Sequence, residues 1–323
     1  MRTVDLLIAG AGPAGLSAAQ YGARAGLKTL VVETASIGGE MLNIDRLENY
    51  PGAGGGESGA ALAEAMRLQA KAAGAEFLAG TAQRLAGDGE GSFTVAVDEY
   101  DTPSPSGGVI QAGAVIIASG ARRRPLGVPG EAEFYGRGVS YCAACDGPFF
   151  KGKKIFVVGG GDAACDEARF LAHLSPLVHL VHRRGVLRAQ NAVASRVLND
   201  PAIKISFETG VTEIKGGQRV EAVVLRDEKS GALREEPADA VFIFAGIEPR
   251  SELAASAALE VRPILDEARF IVTDQRMATA AAGIFAAGDV RASPFRQVVT
   301  AAGDGAVAAH GAAKYLEELR KHR

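Results

Sequence analysis

The chain has 323 residues, with 35 Lys and Arg against 38 Asp and Glu, a formal net charge of −3, 47% hydrophobic residues and three cysteines. Both signs of charge are mixed along it, which argues against a nucleic-acid partner, and no run of about 18 apolar residues is present to span a bilayer. At about 150 residues per domain the length predicts two domains, each large enough to bury a core without disulfide staples. Arg2 and Asp5 flank a strand that starts at once, so no secretory leader is indicated and the expected location is cytoplasmic.

In chain order, residues 4–9 are predicted to form a strand. It turns through Gly10-Ala11-Gly12-Pro13-Ala14-Gly15 into an Ala-rich helix reaching about Arg24, and a second strand over residues 29–32 ends at Glu33. The glycines have separate tasks: a tight turn at Gly10, close approach of backbone to a pyrophosphate at Gly12, and close helix–strand packing at Gly15. The helix N-terminus supplies amide donors to phosphate. An acid about 20 residues on can accept hydrogen bonds from ribose hydroxyls, and Glu33 is placed for that. A merely structural Gly-rich turn is the alternative, but strand, turn, helix, strand and acid together favour an adenine dinucleotide.

The stretch 98–108, with Pro103 and Pro105, reads as an exposed hairpin loop. Residues 114–121 and 240–246 are two similar strands ending in glycine. Each is followed by a proline-bearing segment, 122–130 and 247–250, which suits two crossings between domains. Arg122, Arg123 and Arg124 form a local basic patch, either a surface for an acidic protein partner or a solvated hinge.

Cys142-Ala143-Ala144-Cys145-Asp146-Gly147 comes next. A C-x-x-C pair can be half a zinc site, a structural disulfide or an exchanging dithiol. The only other cysteine is Cys165 and no further ligand pair is evident, so a four-ligand zinc site is disfavoured and no metal is expected. So few cysteines in a chain of this length also disfavour a structural staple. The exchanging dithiol remains, and Asp146 could shuttle protons to departing thiolates or simply cap a turn before Gly147-Pro148. Cys165, among Ala163, Ala164 and Ala168, reads as core packing.

The glycine pattern then repeats at an offset of 149 positions. A strand over residues 154–158 leads into Gly159-Gly160-Gly161-Asp162-Ala163-Ala164, and a strand over residues 177–181 ends at His182-Arg183-Arg184. The basic triplet stands where the first copy has Glu33. A carboxylate repels a phosphate on the adenosine 2′ oxygen whereas a guanidinium pairs with it, so the second site should prefer NADPH over NADH. A solvated basic corner is the alternative. The last block, Gly283-Ile284-Phe285-Ala286-Ala287-Gly288-Asp289-Val290, reads as a strand entering a Gly-Asp turn, followed by a helix from about Gln297.

Taken together, these motifs resemble the low-molecular-weight, bacterial-type thioredoxin reductases, a group of two-dinucleotide flavoproteins, over nearly the whole chain. The resemblance implies FAD at Gly10, Gly12, Pro13, Ala14, Gly15 and Glu33. It also implies flavin-proximal loops at Gly38-Gly39 and at Glu48-Asn49-Tyr50-Pro51-Gly52, with Asn49 near the isoalloxazine, and Asp289, after Gly288, on the ribityl or pyrophosphate portion. Arg296, Gln297 and Val298 would lie against the ring. NADPH would bind at Gly159, Gly161, Asp162, Ala163, His182, Arg183, Arg184 and Arg188. Cys142 and Cys145 would form the redox disulfide, with Cys145 nearer the flavin and Asp146 as acid/base. Two departures stand out: Glu40 follows Gly39 where many relatives carry Gln, and Arg250 follows Pro249 where Asn or Asp is frequent.

The implied fold is α/β, two Rossmann-like three-layer ββα domains with the NADPH domain inserted into a split FAD domain. The expected boundaries are 1–118 and 247–323 for the FAD halves and 119–246 for the NADPH domain with the disulfide. The implied activity passes electrons from NADPH through FAD and the dithiol to thioredoxin or a similar protein, in a homodimer whose inserted domain rotates about its two crossings. A ferredoxin-fed reductase, a dithiol oxidase that does not use NADPH, and a flavin redox sensor without turnover are the competing readings.

Overall fold

The computed structural model describes residues 2–44, 47, 49–53, 57–87, 91–100 and 108–322. The chain divides into two compact units, residues 1–122 with 248–323, and residues 123–247. It therefore leaves the first unit once and returns once. Two short strands at these crossings, Ala121–Arg123 and Ile247–Pro249, pair with each other.

In the first unit, the strands Thr29–Glu33, Arg2–Ala9, Gly108–Ile117 and Ile284–Ala286 lie side by side in parallel, and the start of Glu76–Gly87 extends that sheet. The far part of Glu76–Gly87 pairs antiparallel with Phe93–Glu99, which pairs antiparallel with the start of Gly108–Ile117. Two long strands thus serve two sheets, and the antiparallel meander covers one face of the parallel one. The hairpin read over 98–108 has these flanking strands, although residues 101–107 lie outside the described set.

Strand alternation divides the core between the faces. Leu6 and Ile8 join the helix-side cluster, while Leu7 and Ala9 join the cluster on the opposite face. The helices Pro13–Arg24 and Val298–His322 supply the first cluster through small residues, Ala14, Ala18 and Ala19 against Ala301, Ala308 and Ala312. Helix Gly59–Ala72, capped by the Ser58 hydroxyl accepting from the Ala61 amide at 3.2 Å, adds Ala70 to the same layer.

The second unit repeats this plan. Strands Ile203–Ser206, Val178–Val181, Ile155–Gly159, Ala240–Phe244 and Val139–Ser140 form a parallel sheet in that order. The strands Thr209–Gly216, Val220–Asp227 and Leu233–Pro237 form the antiparallel layer. Ile155 and Val157 face the helix Asp162–Leu174, and Phe156 and Val158 face the meander-side core. The offset of 149 read from the glycines therefore extends to the direction each core side chain points. Fully burying side chains of this size contributes roughly 1.5–3 kcal/mol each, which holds both three-layer stacks together.

Candidate dinucleotide and disulfide sites

In each unit the glycine turn sits where the strand order reverses, at the carboxyl ends of the central strands. Gly10 has φ +109°, and a Cβ there would stand 2.3 Å from the Ala118 carbonyl oxygen on the neighbouring strand's extension. A Cβ on Gly15 would meet the Gly10 carbonyl oxygen at 1.9 Å, so the helix is pressed onto its own turn. At Gly12 a Cβ would find nothing within 4 Å, and no side chain caps the helix that begins at Pro13. Open space over uncapped amides is what a pyrophosphate requires.

Glu33 reaches this turn, its carboxylate accepting from the Ala11 amide at 2.5 Å and from the Ala35 amide at 2.8 Å. Gly39 packs beside it, since a Cβ there would lie 3.2 Å from the Gly12 Cα. Glu40 accepts from Asn43 Nδ2 at 3.1 Å and pairs with Arg250 at 3.8 Å. The two departures from the family pattern are thus one ion pair. The backbone of Arg250 is itself bonded to Ser119 and Gly120 at the other crossing.

Asn49 Nδ2 donates to Gln297 Oε1 at 2.9 Å; Glu48, of the same motif, lies outside the described residues. Gln297 precedes Val298, the first residue of the C-terminal helix. Arg296 stacks over Phe270 at 4.1 Å, and its buried Nε has no hydrogen-bond partner among the described residues. Burial raises the pKa of Asp289 against the opposing pull of Arg296, with Asp304 and Glu40 adding to the rise. Asp304 accepts from the Gly288 amide at 3.2 Å and pairs with Arg291 at 3.5 Å. The open cradle, the bare helix end and the unpaired Arg296 Nε together fit a flavin dinucleotide.

The second turn follows the same geometry. A Cβ on Gly159 would meet the Phe244 carbonyl oxygen at 2.6 Å, while Gly161 faces open space at an uncapped helix start. Ala163 is exposed, and the Asp162 carboxylate accepts from the Gln190 backbone amide at 2.7 Å and side-chain amide at 2.9 Å. His182 is buried, with its ring standing over Gly160, where a Cβ would come within 2.4 Å of it. Burial lowers the pKa of His182, reinforced by Arg188, so the ring is neutral near neutral pH. The charge at this corner resides on Arg183, Arg184 and Arg188, all exposed. The open space over Gly161, the exposed guanidiniums and the buried His182 Nε2, which has no hydrogen-bond partner among the described residues, fit a phosphorylated nucleotide.

Cys142 and Cys145 are joined by a disulfide in the second unit. They lie at the start and within a one-turn helix, Ala143–Asp146, and the Cys145 amide points at Cys142 Sγ from 3.2 Å. Cys145 is exposed and Cys142 partly so. The buried Ser140 hydroxyl donates to Asp146 Oδ2 at 2.6 Å and accepts from the Cys142 amide at 3.0 Å. Tyr141 donates to the buried carboxylate of Glu131 at 2.5 Å, which also accepts from the amides of Leu126 and Gly127 at 2.9 and 2.6 Å. Burial and this carboxylate push the Tyr141 phenol strongly upward. Cys165 is buried in the helix-side core, and burial raises its thiol pKa to about 11.

Ser140, Glu131 and Asp304 are contacts that sequence reading missed. Ser140 lies two residues before the cysteines and Glu131 follows Pro129-Gly130, but neither position has a periodicity or spacing that marks it.

Two dinucleotide-type folds, with a disulfide carried on the second, define a two-domain Rossmann-type disulfide protein. Residues 4–305 match the family model for pyridine nucleotide-disulphide oxidoreductases. The chain belongs to this family and, within it, to the low-molecular-weight thioredoxin reductases. It is 48% identical over 316 residues to a Treponema pallidum thioredoxin reductase, covering 98% of both chains. It is 42% identical to a Bacillus subtilis thioredoxin reductase, covering 98% of this chain and 96% of that one. The crystal structure of Lactococcus lactis thioredoxin reductase superposes with a TM-score of 0.90 at 38% identity, covering 98% of this chain and 99% of that one.

Proposed function

We propose that this chain is an NADPH-dependent thioredoxin-disulfide reductase, with FAD in the first unit and NADPH in the second, and thioredoxin or a similar small protein as acceptor. The observation that carries the reading is the Cys142–Cys145 disulfide with Asp146 held beside it, in the unit whose nucleotide turn carries arginines in place of an acid. The relatives' names support the same activity.

The chain's residues divide the work. Gly10 makes the tight turn, Gly12 opens the backbone to the FAD pyrophosphate, Pro13 starts the helix whose first amides, at Ala14 and Gly15, face the phosphates, and Glu33 takes the ribose hydroxyls. Gly39, Glu40, Asn49, Gly288, Asp289, Arg296, Gln297 and Val298 border its other end. Gly159, Gly161, Asp162 and Ala163 form the NADPH turn, Arg183, Arg184 and Arg188 hold the 2′-phosphate, and His182 packs the turn from beneath. Bound flavin supplies the two-electron chemistry that links a nicotinamide to a disulfide. Cys142 and Cys145 then pass the electrons on by exchange, and Asp146 carries protons to and from their sulfurs. The Cys145 amide favours negative charge on Cys142 Sγ. A homodimer in the cytoplasm, a thiol-reducing compartment, is the setting we assign.

A coupled assay of NADPH oxidation with thioredoxin, repeated with Cys145→Ser, tests donor, acceptor and dithiol together. Turnover by the natural chain and its loss in the variant are expected. Absence of flavin bleaching on anaerobic mixing with NADPH would reject the donor.

A further inference from the structure

We propose that Ser140 is the positioning residue for Asp146, fixing which carboxylate oxygen exchanges protons with the dithiol. The proposal rests on the acid/base role assigned to Asp146 above.

Ser140 is 2% exposed and sits on the strand Val139–Ser140, whose partner across the sheet is Phe242. Its location is therefore set by the parallel sheet and not by the cysteine loop. Its hydroxyl has a single proton and two oxygens in reach, Asp146 Oδ2 at 2.6 Å and the Cys142 carbonyl at 3.2 Å. The shorter contact, to a carboxyl oxygen of Asp146, takes the proton. A lone pair on the same oxygen accepts from the Cys142 amide at 3.0 Å. One sheet-anchored side chain thus grips the first cysteine through its backbone and the acid through its side chain. With Oδ2 engaged by Ser140, Oδ1 is the oxygen that receives and returns the proton.

In the exchange, one thiol of the pair passes its proton to Asp146 and the resulting thiolate attacks the acceptor disulfide. The acceptor's S–S bond breaks as a mixed disulfide forms, and the first departing sulfur takes that proton from Asp146. The second thiol then gives its proton to Asp146 as its sulfur attacks the mixed disulfide and closes the Cys142–Cys145 bond, and the second departing sulfur takes it. The acceptor gains two electrons and two protons, and Asp146 ends as it began. Proton delivery matters most when the departing thiol is weakly acidic.

The test uses the full-length protein reduced with dithiothreitol, freed of reductant, and mixed rapidly with two probes. Bis(2-hydroxyethyl) disulfide releases a weakly acidic thiol that needs a proton; dithiobis(nitrobenzoate) releases a stable thiolate that does not. Ser140→Ala is expected to slow the first reaction by about tenfold and the second by less than about twofold. In an Asp146→Asn background the same change should add nothing, because the two residues act as one unit. Ser140→Thr, which keeps the hydroxyl, should restore the natural ratio between the probes and serves as the second variant if the alanine protein folds poorly. Equal slowing with both probes, an additive loss with Asp146→Asn, or an alanine-like ratio in the threonine variant would overturn the proposal. Asp146→Asn reacting like the natural protein with both probes would instead remove the acid/base role itself.

Discussion

The side-chain amide of Asn49 donates to that of Gln297 at 2.9 Å, joining residues 248 positions apart. The bond brings an N-terminal loop to the start of the C-terminal helix, so that one edge of the candidate flavin site is built from both ends of the chain. Because both groups are neutral and the bond is exposed, its loss should cost only about 0.5–1.5 kcal/mol of stability. Gln297→Ala is expected to leave the melting temperature nearly unchanged while weakening FAD binding to the apoprotein severalfold. Fluorescence titration with FAD checks it, and unchanged affinity would remove this pair from the site.

Gly305 lies on the face of the C-terminal helix that meets the first helix, where a Cβ would stand 2.0 Å from the Ala14 carbonyl oxygen. Backbone cannot yield as a flexible side chain can, so Gly305→Ala must push the helices apart. Overpacking of this kind costs typically 1–3 kcal/mol. We expect a lower denaturation midpoint and reduced flavin retention, with Gly303→Ala, where a Cβ meets nothing within 4 Å, as the neutral control.

Replacing Arg183 and Arg184 with Gln should raise the KM for NADPH by about ten- to a hundredfold, the value of one or two charge-assisted hydrogen bonds. The KM for NADH should hardly move. Equal losses for both nucleotides would indicate that these exposed residues act on the fold of the corner and not on the 2′-phosphate.

His179 is buried between Phe156 and Ser206, and its pKa falls to about 4 through burial first and Lys204 next. Lys154 and Arg234 act in the same direction, with Glu236 opposing them. An unfolded histidine takes its proton below about pH 6.5, whereas the folded one refuses it until about pH 4. The contribution to stability is therefore complete above pH 6.5, declines as the pH falls toward 4, and levels off below it. The loss attributable to this group should approach about 3 kcal/mol. Urea unfolding of the natural protein and of His179→Gln across that range reads it as the difference in slope; parallel profiles would refute it.

The Cys165 thiol, with its pKa raised to about 11, is thiolate in only about one molecule in ten thousand at pH 7. Iodoacetamide should leave the oxidised native protein unlabelled, as mass spectrometry would show, and Cys165→Ala should keep its turnover within about twofold of the natural rate. An adduct on native protein at neutral pH would show a reactive thiol.

Much of the architecture was legible because it rests on local constraints. Gly10, Gly12 and Gly15 are required by a strand turning sharply onto a helix beside another backbone, and their recurrence at Gly159 and Gly161, with Ala164 in the third place, announced a second copy. Which of Leu6 to Ala9 and of Ile155 to Val158 face the helices was not legible, because all of these residues are apolar, and the packed structure assigns them. Other features had no local signature. The helix Gly59–Ala72 was not foreseen from its Ala-rich stretch, and His182, read as part of a basic triplet, is a buried neutral ring over Gly160.

By itself, then, the sequence determined the doubled nucleotide-turn plan, the split of the first unit around the second, and the Cys142/Cys145 pair with Asp146 next to it. Spacing along a chain encodes these, since turns, strands and a three-residue cysteine interval are short-range geometry. Only the tertiary structure decided that Ser140 holds Asp146, that Glu131 clamps Tyr141, that Asp304 holds the Gly288 amide, and that Glu40 meets Arg250. Most of these pairings depend on how separate strands and helices are brought together, and in the Ser140–Asp146 case on a strand whose place is set by Phe242, 102 positions away in the chain. No property of either residue read alone states which partner the fold will supply.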